Sequence, residues 1–285
     1  MTAASHAAAG FEPHRKFLAG LAYRMLGSVA EAEDVVQDAF LRWCEVDREK
    51  VAEPRAYLAR AVSRLCLDRM GSATRRREQY VGTWLPEPVV AEPAQTLADD
   101  LSVALLLALE RLSPLERAAF LLHDVFDMDY AEVAEAIERT EPACRQLAAR
   151  AREHVRGERP RYAPSDAEAR KVADAFLAAA ATGDVEGLAR VLAEDAVFYA
   201  DGGSKRRAVL NPITGRAKIL RLYQGVRVRG GGISALRAEP ATLNGLPGFV
   251  FHTHEGTETL AFEVAHGRIV TLYVVRNPEK LQHLS

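Results

Sequence analysis

The sequence predicts a multidomain protein in which two all-α domains are followed by an α+β domain. Apolar side chains recur at helical spacing through residues 11–157, whereas short β-branched and aromatic runs follow from residue 196 onward. Proline-containing segments at 80–96 and 159–165 separate the three parts, because closely spaced prolines disfavour helix. The length of 285 residues agrees with two or three domains.

Charge is distributed unevenly along the chain, although the net charge is only −2. Seven arginines and two acidic residues lie between residues 55 and 78, and seven arginines and three acidic residues lie between 139 and 161. Two basic segments in an otherwise acidic protein are typical of binding to a polyanion at two places. Two solvated helix faces are the alternative interpretation.

Cysteine usage and hydropathy predict a cytoplasmic protein. Cys44, Cys66 and Cys144 lie far apart in apolar helical contexts, which favours small core residues in a reducing compartment. The sequence opens without the pattern of a signal peptide, and no apolar run has membrane-spanning length. We therefore expect no membrane partner, and the absence of ligand-spaced cysteines and histidines predicts no metal and no cofactor.

Three helices are predicted in the first part of the chain. They are Phe11–Leu26, Glu31–Cys44 and Pro54–Met70. In the second helix, Val36, Phe40 and Trp43 lie at i, i+4 and i+7, so we expect them to form its buried face. The charge run Arg75–Arg77 is expected to end the third helix. The small and polar residues 1–10 are expected to be disordered.

The second part ends in a helix-turn-helix pattern. Leu101–Leu112 predicts a strongly apolar helix, and Ser113 is placed to cap the helix that follows. Residues 130–156 then predict a short helix and, after a turn in which Thr140 can act as the cap, a basic second helix. The second helix of a helix-turn-helix enters the major groove of DNA. An ordinary helical hairpin with a solvated arginine face is the alternative.

The segment between the helical parts contains Trp84-Leu85-Pro86-Glu87-Pro88, which we expect to be extended. Trp84 and Leu85 are unusual on a solvated tether and are expected to dock on a neighbouring surface.

The last part predicts helices followed by a curved antiparallel sheet. The predicted helices are Ala167–Ala181, Val185–Leu192 and Gly215–Gln224. The predicted strands are Ala196–Ala200, Ile233–Ala238, Gly248–His254, Thr259–Ala265 and Ile269–Arg276.

The whole arrangement resembles the bacterial sigma factors of the extracytoplasmic-function (ECF) type, in the sigma-70 family. The residues that carry the resemblance are Ala22–Gly27 with Ala32–Phe40, then Arg55–Asp68, then Ser113–Arg117 with Tyr130–Arg152. The resemblance implies a region 2 domain at 11–79 and a region 4 domain at 97–158. It also implies a transcription initiation factor that binds core RNA polymerase and directs it to promoters with −35 and −10 elements.

Three sets of contact residues follow from this resemblance. Asp34, Gln37 and Asp38 would face the β′ clamp of polymerase, and the region 4 domain would contact the β flap. The expected contacts on the −10 side are Arg60, Arg64, Arg69, Arg75, Arg76 and Arg77. The expected contacts on the −35 side are Thr140, Glu141, Ala143, Arg145, Gln146, Arg150 and Arg152. Arg145 and Gln146 are the best candidates for reading bases. The glycine usual in the helix-turn-helix turn of this family is Glu138 here, which leaves the turn geometry to be established.

Two further motifs resemble a subgroup of these sigma factors, which carries a SnoaL-like domain of the NTF2-like cone fold. They are Asp201-Gly202-Gly203-Ser204-Lys205 and Asn277-Pro278-Glu279-Lys280-Leu281, and they accompany the Trp84–Pro88 motif. The resemblance implies that a domain at 166–285 regulates the sigma factor, and it leaves room for a small-molecule ligand in the cone. The expected interdomain regulatory residues are Trp84, Leu85, Pro86, Glu87, Pro88, Asp201, Lys205, Asn277, Pro278, Lys280 and Leu281. We expect the two motifs to pack against the linker, with Lys280 and Leu281 on a mobile tail.

Two other functions compete with this interpretation. A stand-alone helix-turn-helix regulator with a ligand-sensing domain has no need of a polymerase-binding face on the second helix. An enzyme would need an acid–base pair in the last domain. The candidate groups are Asp195, Asp201, His252, His254 and Glu255, with His252 and His254 expected on one face of a strand, but no such pair is identifiable among them. We therefore predict no catalytic residues.

Overall fold

A computed structural model describes residues 3–47, 50–78, 80–90, 103–156, 165–228 and 235–284. At 3–7, 72–78, 156, 227–228 and 235–236 it describes the backbone alone. The chain divides into two compact units. The first contains Met1–Glu78 and Ala104–Arg159, and the second contains Gln79–Val103 and Pro160–Ser285.

The first unit is entirely helical where it is described. Its helices are α1 (Ala3–Leu26), α2 (Val29–Glu45), α3 (Pro54–Glu78), α4 (Val103–Glu110), α5 (Pro114–Phe120, extended by a π-helical turn Leu121–Val125), α6 (Tyr130–Ile137) and α7 (Glu141–Arg156). Ser113 begins α5 with a capping box and a proline at the first turn, as its sequence predicts.

Two predicted helix ends in this unit are wrong. Helix α1 begins at Ala3 and not at Phe11, because residues 3–10 are rich in alanine, the strongest helix former. Gly10 lies against Trp43, where an added Cβ would come within 3.3 Å of the indole ring. Helix α3 continues through Arg75–Arg77 to Glu78, since arginine is also a good helix former.

The second unit consists of three helices and one six-stranded sheet in the described residues. The helices are α8 (Asp166–Thr182), α9 (Val185–Val191) and α10 (Arg216–Val228). The strands are β1 (Leu192–Asp201), β2 (Ile213–Thr214), β3 (Ala235–Leu243), β4 (Leu246–Thr253), β5 (Gly256–Ala265) and β6 (Arg268–Val275), followed by short 3₁₀ turns at Pro278–Lys280 and Gln282–Leu284. The strand order is β2-β1-β6-β5-β4-β3.

The sheet is mixed, so the prediction of an antiparallel sheet is wrong for one pair of strands. Strand β1 runs parallel to β6, with Tyr199 opposite Tyr273, while the other neighbouring pairs are antiparallel. A parallel pair needs a long connection, and here α10 and strands β2 to β5 lie between β1 and β6 in the chain. The consequence for the site is that the end of β1, at Asp201, lies beside the end of β6 and the residues that follow it.

The core of the second unit lies between the helices and one face of the sheet. Phe176 of α8 is at its centre, with ring centroids 5.0 Å from Phe262 and 5.4 Å from Tyr223. Phe198, Phe249 and Phe251 belong to the same buried cluster. The inside of the cone is therefore packed with aromatic side chains.

Candidate polymerase and nucleic-acid interfaces

Helix α2 presents the side chains predicted to face polymerase. Ser28 caps the helix by accepting a hydrogen bond from the Glu31 backbone N–H at 3.2 Å. The buried side of the helix consists of Ala32, Val35, Val36, Ala39 and Trp43. Asp34 and Gln37 are exposed, with Asp38 half-buried beside them, as the i, i+3, i+4 spacing requires.

Arg69 neutralises part of this acidic face. Its guanidinium donates to Asp38 Oδ2 at 2.7 Å and to the Glu31 carbonyl at 2.9 Å, and it lies 3.9 Å from Asp34. Arg69 follows Arg60 by about two and a half helical turns, so it emerges on the opposite side of α3. The structure thus separates Arg69 from Arg60 and Arg64 and joins it to the predicted polymerase face.

Arg60 and Arg64 lie one turn apart on the side of α3 that contacts α6. Arg60 forms an ion pair with the Glu135 carboxylate. Arg64 lies 3.0 Å from the Glu138 carboxylate and donates to the Glu135 carbonyl at 3.1 Å. The side chains of the remaining predicted −10 residues, Arg75, Arg76 and Arg77, lie outside the described residues.

Two cavities run along this contact between α3 and α6. The first, of about 630 Å³, is bounded by the loop before Pro54, by Tyr57 and by Glu132 and Glu135 of α6. Two acidic residues of the loop, Asp47 and Glu53, also line it. The second, of about 540 Å³, lies between the arginines of α2 and α3 and the carboxylates of Glu135 and Glu138. Each cavity therefore has basic side chains from the first helical part in its wall, together with carboxylates of α6 or its C-cap.

A residue in the left-handed conformation closes the turn between α6 and α7. Asp129 begins α6 with a capping box formed with Glu132, and Glu138 ends it at φ 55° and ψ 52°. The Glu138 backbone N–H donates to the Ala134 carbonyl, as in helix ends that usually carry glycine. This backbone conformation costs a residue with a Cβ about 1–2 kcal/mol. The turn is therefore formed in spite of the glutamate, at an energetic cost.

Helix α7 exposes the residues expected to read bases. Arg145 and Gln146 are exposed near the start of the helix, where Thr140, Glu141 and Ala143 also lie. Arg145 pairs with Glu141 at 2.7 Å and its guanidinium lies 5.2 Å from the Tyr130 ring centre. The buried side of α7 consists of Cys144, Leu147, Ala148, Ala151 and Val155. The helix therefore has one basic side for a ligand and one apolar side for its own domain.

Arg150 and Arg152 differ in how far they are held within the protein. Arg150 Nε lies 2.9 Å from Glu116, and the arginine side chain is more than half exposed. Arg152 pairs with Asp124 at 2.6 Å and donates to the Tyr130 hydroxyl at 2.9 Å. Arg150 thus remains accessible beside Arg145, whereas Arg152 ties α7 to the segment before α6.

A buried contact also joins the two helical parts within the first unit. Arg117 of α5 is buried and donates to the Met25 carbonyl at 2.7 Å and to Glu110 at 2.8 Å. Phe17 and Phe126 meet edge to face with ring centroids 5.0 Å apart. Sequence reasoning missed this contact because nothing local to Arg117 or Phe126 identifies a partner on α1.

The second unit contains a buried ion pair between two of the predicted regulatory motifs. Asp201, at the end of β1, is fully buried and its Oδ2 lies 2.7 Å from Lys280 Nζ. Asp201 also accepts hydrogen bonds from the Tyr80 hydroxyl at 2.5 Å and from the backbone N–H groups of Leu85 at 2.8 Å and Gly203 at 3.0 Å. Burial, and then the hydrogen bond to Asp201, raise the pKa of Tyr80, so its phenol stays protonated as a donor.

Residues of the Trp84–Pro88 motif enclose the ammonium group of Lys280. Lys280 donates to the Leu85 carbonyl and lies 4.1 Å from the Trp84 ring centre and 4.9 Å from that of Tyr80. The predicted docking of Trp84 and Leu85 is therefore confirmed. The predicted mobile tail is wrong, because both Lys280 and Leu281 are buried: the charge is paired and the leucine packs.

Residues 80–90 form an extended strap on the C-terminal domain. Leu85 to Pro88 are all buried, and the Val89 backbone exchanges hydrogen bonds with Asn244 at 2.9 and 2.8 Å. The His283 ring contacts the Pro88 carbonyl at 2.7 Å. Asn277 Nδ2 donates to the Tyr80 hydroxyl at 2.8 Å, and the adjacent Pro278 opens the turn that carries Lys280. The strap, although predicted as part of a linker, thus belongs structurally to the C-terminal domain.

Lys205 is the member of the predicted set that stays outside this anchor. Its side chain is 57% exposed and its ammonium lies 3.8 Å from Glu279. Tyr80, Asn244 and His283 take part without having been predicted. The sequence offered one signal for Tyr80, since it is an aromatic residue only four positions before Trp84.

The groups weighed for catalysis are dispersed. Asp195 is exposed, Asp201 belongs to the buried ion pair, and Glu255 lies 3.2 Å from Arg206. The expectation that His252 and His254 share a strand face is wrong, because β4 ends at Thr253; His252 pairs with Glu239 at 3.1 Å instead. Among the described residues, no group of three or more His, Cys, Asp and Glu side chains could hold a metal ion. None of the described helices is long and apolar enough to cross a membrane.

Comparison with known proteins assigns both helical parts. Residues 11–76 match the family model for sigma-70 region 2, and residues 102–155 match that for sigma-70 region 4. The ECF RNA polymerase sigma factor SigJ of Mycobacterium tuberculosis is 39% identical over 95% of this chain and 91% of its own length. The probable sigma factor SigI of the same species is 39% identical over 65% of this chain and 66% of its own. The crystal structure of M. tuberculosis SigJ superimposes with a TM-score of 0.78 at 35% identity, covering 95% of this chain and 97% of that one.

A region 2 domain and a region 4 helix-turn-helix in one chain define a promoter-recognition factor of RNA polymerase. The chain belongs to the ECF sigma factors, with an α+β domain behind region 4. It is therefore a transcription initiation factor that acts with core RNA polymerase at promoter DNA, and the stand-alone regulator is not favoured.

Proposed function

We propose that the exposed face of α2 binds the β′ clamp of polymerase and that the region 4 domain contacts the β flap. Asp34 and Gln37 offer exposed oxygen acceptors that suit a basic partner, while Arg69 partly neutralises Asp38. Asp34 and Gln37 should then contribute more to binding than Asp38 does.

The binding of core polymerase to a fluorescent full-length chain tests this assignment. The variant Asp34→Lys should bind polymerase less tightly, whereas Glu186→Gln, at an exposed residue of α9, should bind as the wild type does. Equal affinity of all three proteins would place the polymerase contact elsewhere.

For promoter DNA, the proposal gives the exposed residues of α7 and α3 different tasks. Arg145 and Gln146 contact base edges of the −35 element, because Arg matches guanine and Gln matches adenine in the major groove. Arg150, exposed on the same helix, contacts phosphate. Arg60 and Arg64 hold phosphates near the −10 element, which orients the DNA and carries little sequence information.

We further propose that the C-terminal domain regulates promoter recognition by holding the strap. The observation that carries this proposal is the buried Asp201–Lys280 pair. Both residues hydrogen-bond to the backbone of Leu85, which follows the end of α3 at Glu78 by only a few residues. The chain between α3 and α4 connects the two DNA-binding domains. Fixing residues 80–90 shortens the part of this connection that is free to extend. The Asp201–Lys280 pair then limits how far apart the domains that contact the −10 and −35 elements can move.

Transcription in vitro with core polymerase and a genomic promoter pool tests the proposal. Full-length protein is compared with a chain that lacks residues 277–285 and therefore lacks Lys280. We expect specific transcripts from the full-length protein and a changed amount from the shortened one, with the helical content of both proteins retained. The direction of the change gives the sign of control. Unchanged transcription together with unchanged promoter affinity would contradict regulation through the anchor.

A further inference from the structure

The first helix of the helix-turn-helix carries a row of carboxylates. Glu132, Glu135 and Glu138 recur every three residues along α6 and its C-cap, and Glu135 and Glu138 are exposed on their own domain. In helix-turn-helix proteins the first helix crosses the DNA backbone. Carboxylates on that helix are repelled by phosphate, so this row is suited to a basic partner within the protein.

Arginines of region 2 provide that partner. Arg60 pairs with Glu135, and Arg64 lies 3.0 Å from Glu138, so two carboxylates occupy two guanidinium groups. We propose that Glu135 and Glu138 act as an intramolecular substitute for DNA phosphates and compete with nucleic acid for Arg60 and Arg64. This inference rests on the proposed role of the two arginines on the −10 side. The inference adds a closed state without DNA, in which Glu135 and Glu138 already occupy Arg60 and Arg64.

The backbone of Glu138 supports a specific purpose for its side chain. At φ 55° the position suits glycine, and glycine would close the same turn without strain. Glutamate at this position therefore does not stabilise the turn itself. What it supplies is a carboxylate within ion-pair distance of Arg64.

The cavities beside these pairs point to the same competition. Arg60, Tyr57 and the carboxylate of Glu135 line both cavities. A phosphate-bearing strand that approached the arginines in this closed state would meet Glu135. Opening the contact between α3 and α6 removes the carboxylates of Glu132, Glu135 and Glu138 from the walls. Arg60, Arg64 and Tyr57 then become available, while Asp47 and Glu53 of the loop before α3 stay beside them.

The strength of the competition is limited by exposure. Arg60 and Arg64 are partly exposed, so each ion pair is screened by salt and contributes modestly. The buried Arg117 and the Phe17–Phe126 contact also hold the two helical parts together. Removing both carboxylates should therefore tighten nucleic-acid binding by about threefold to tenfold.

The experiment measures binding of full-length protein to a fluorescein-labelled 20-nucleotide oligo(dT) at low ionic strength. Glu135→Gln with Glu138→Gln, and separately Glu138→Gly, should bind more tightly than the wild type. A charge-matched control, Glu33→Gln with Glu186→Gln, changes two exposed carboxylates outside α6. Equal gains in the control and in the α6 variants would show a general charge effect and overturn the inference.

Arg64 provides a second, internal control. In an Arg64→Ala background, Glu138→Gln should give no gain in oligo(dT) binding, because the pair that it releases is absent. A full gain in that background would contradict competition for Arg64.

Energy transfer tests the closed state without reference to DNA. Dyes are placed at Cys44, the exposed cysteine of α2, and at Ala149→Cys on the exposed side of α7. Transfer between the two helical parts should fall in the α6 variants and on raising the salt. Unchanged transfer in the variants would overturn the closed state even if promoter-dependent transcription establishes the polymerase and DNA contacts proposed above.

Discussion

Replacing Lys280 with methionine should release the strap from the C-terminal domain. Methionine keeps the length and the apolar stem of lysine but removes its charge. In the wild-type protein this ammonium contacts Asp201 at 2.7 Å, the Leu85 carbonyl and the Trp84 ring. The variant leaves the fully buried Asp201 carboxylate with neutral donors only, from Tyr80, Leu85 and Gly203.

The magnitude follows from the loss of one partner of a buried ion pair. Such a loss costs about 3–5 kcal/mol, and the three remaining donors to Asp201 place Lys280→Met at about 3 kcal/mol. For a unit of this size, each kcal/mol lowers the thermal midpoint by about 2–4 °C, so the C-terminal unit should melt about 6–12 °C lower.

Calorimetry measures this midpoint, and hydrogen exchange of residues 80–90 reports the strap directly. The amide of Leu85 should lose protection in Lys280→Met, because its acceptor is no longer held in place. Lys205→Met is the matched control: Lys205 is exposed and 3.8 Å from Glu279, so its loss should change stability by less than about 1 kcal/mol. If Lys280→Met behaves like Lys205→Met in both assays, the ion pair does not anchor the strap.

Three further outcomes can be tested on the same protein. Arg145→Ala should reduce −35-dependent transcription more than binding to random DNA, by up to about 1–3 kcal/mol of base discrimination; equal losses would make Arg145 a phosphate contact only. Since the pKa of Tyr80 is raised on folding, its stabilising contribution is complete below the ordinary tyrosine pKa of about 10 and decreases above it. Tyr80→Phe should therefore flatten the decline in the free energy of unfolding above about pH 10, and an unaltered slope in that range would exclude Tyr80 as its source. Iodoacetamide should modify exposed Cys44 much faster than Cys66, because burial removes access to the Cys66 thiol and raises its pKa; mass spectrometry of the peptides decides this.

The helices and the helix-turn-helix could be predicted from the sequence because their signals are local. A cap such as Ser113, a three-to-four residue apolar spacing and a glycine or proline at an element end all act within a few residues. The same locality explains the exposed face of α2. The helical repeat alone would also have placed Arg69 on the side of α3 opposite to Arg60, because the two residues are nine positions apart.

The ends of the helices were harder to predict from the sequence, because helix propensity competes there with charge and composition. Alanine favours helix at residues 3–10 although the segment has few large apolar side chains, and arginine continues α3 where a charge run was expected to end it. The mixed sheet was missed for a different reason. Strand direction depends on the path of the connections, and single-strand patterns do not record it.

The sequence by itself determined that this chain has two helical domains, each with a basic segment, a helix-turn-helix and a later α+β domain. Only the tertiary structure decided what the charged residues pair with. Arg64 meets the Glu135 carbonyl across 71 residues of chain, and Lys280 meets Asp201 across 79. An arginine or lysine in a sequence is equally suited to a phosphate and to a carboxylate. The partner is set by which elements the fold brings within about 4 Å, and that distance is a property of the whole chain path.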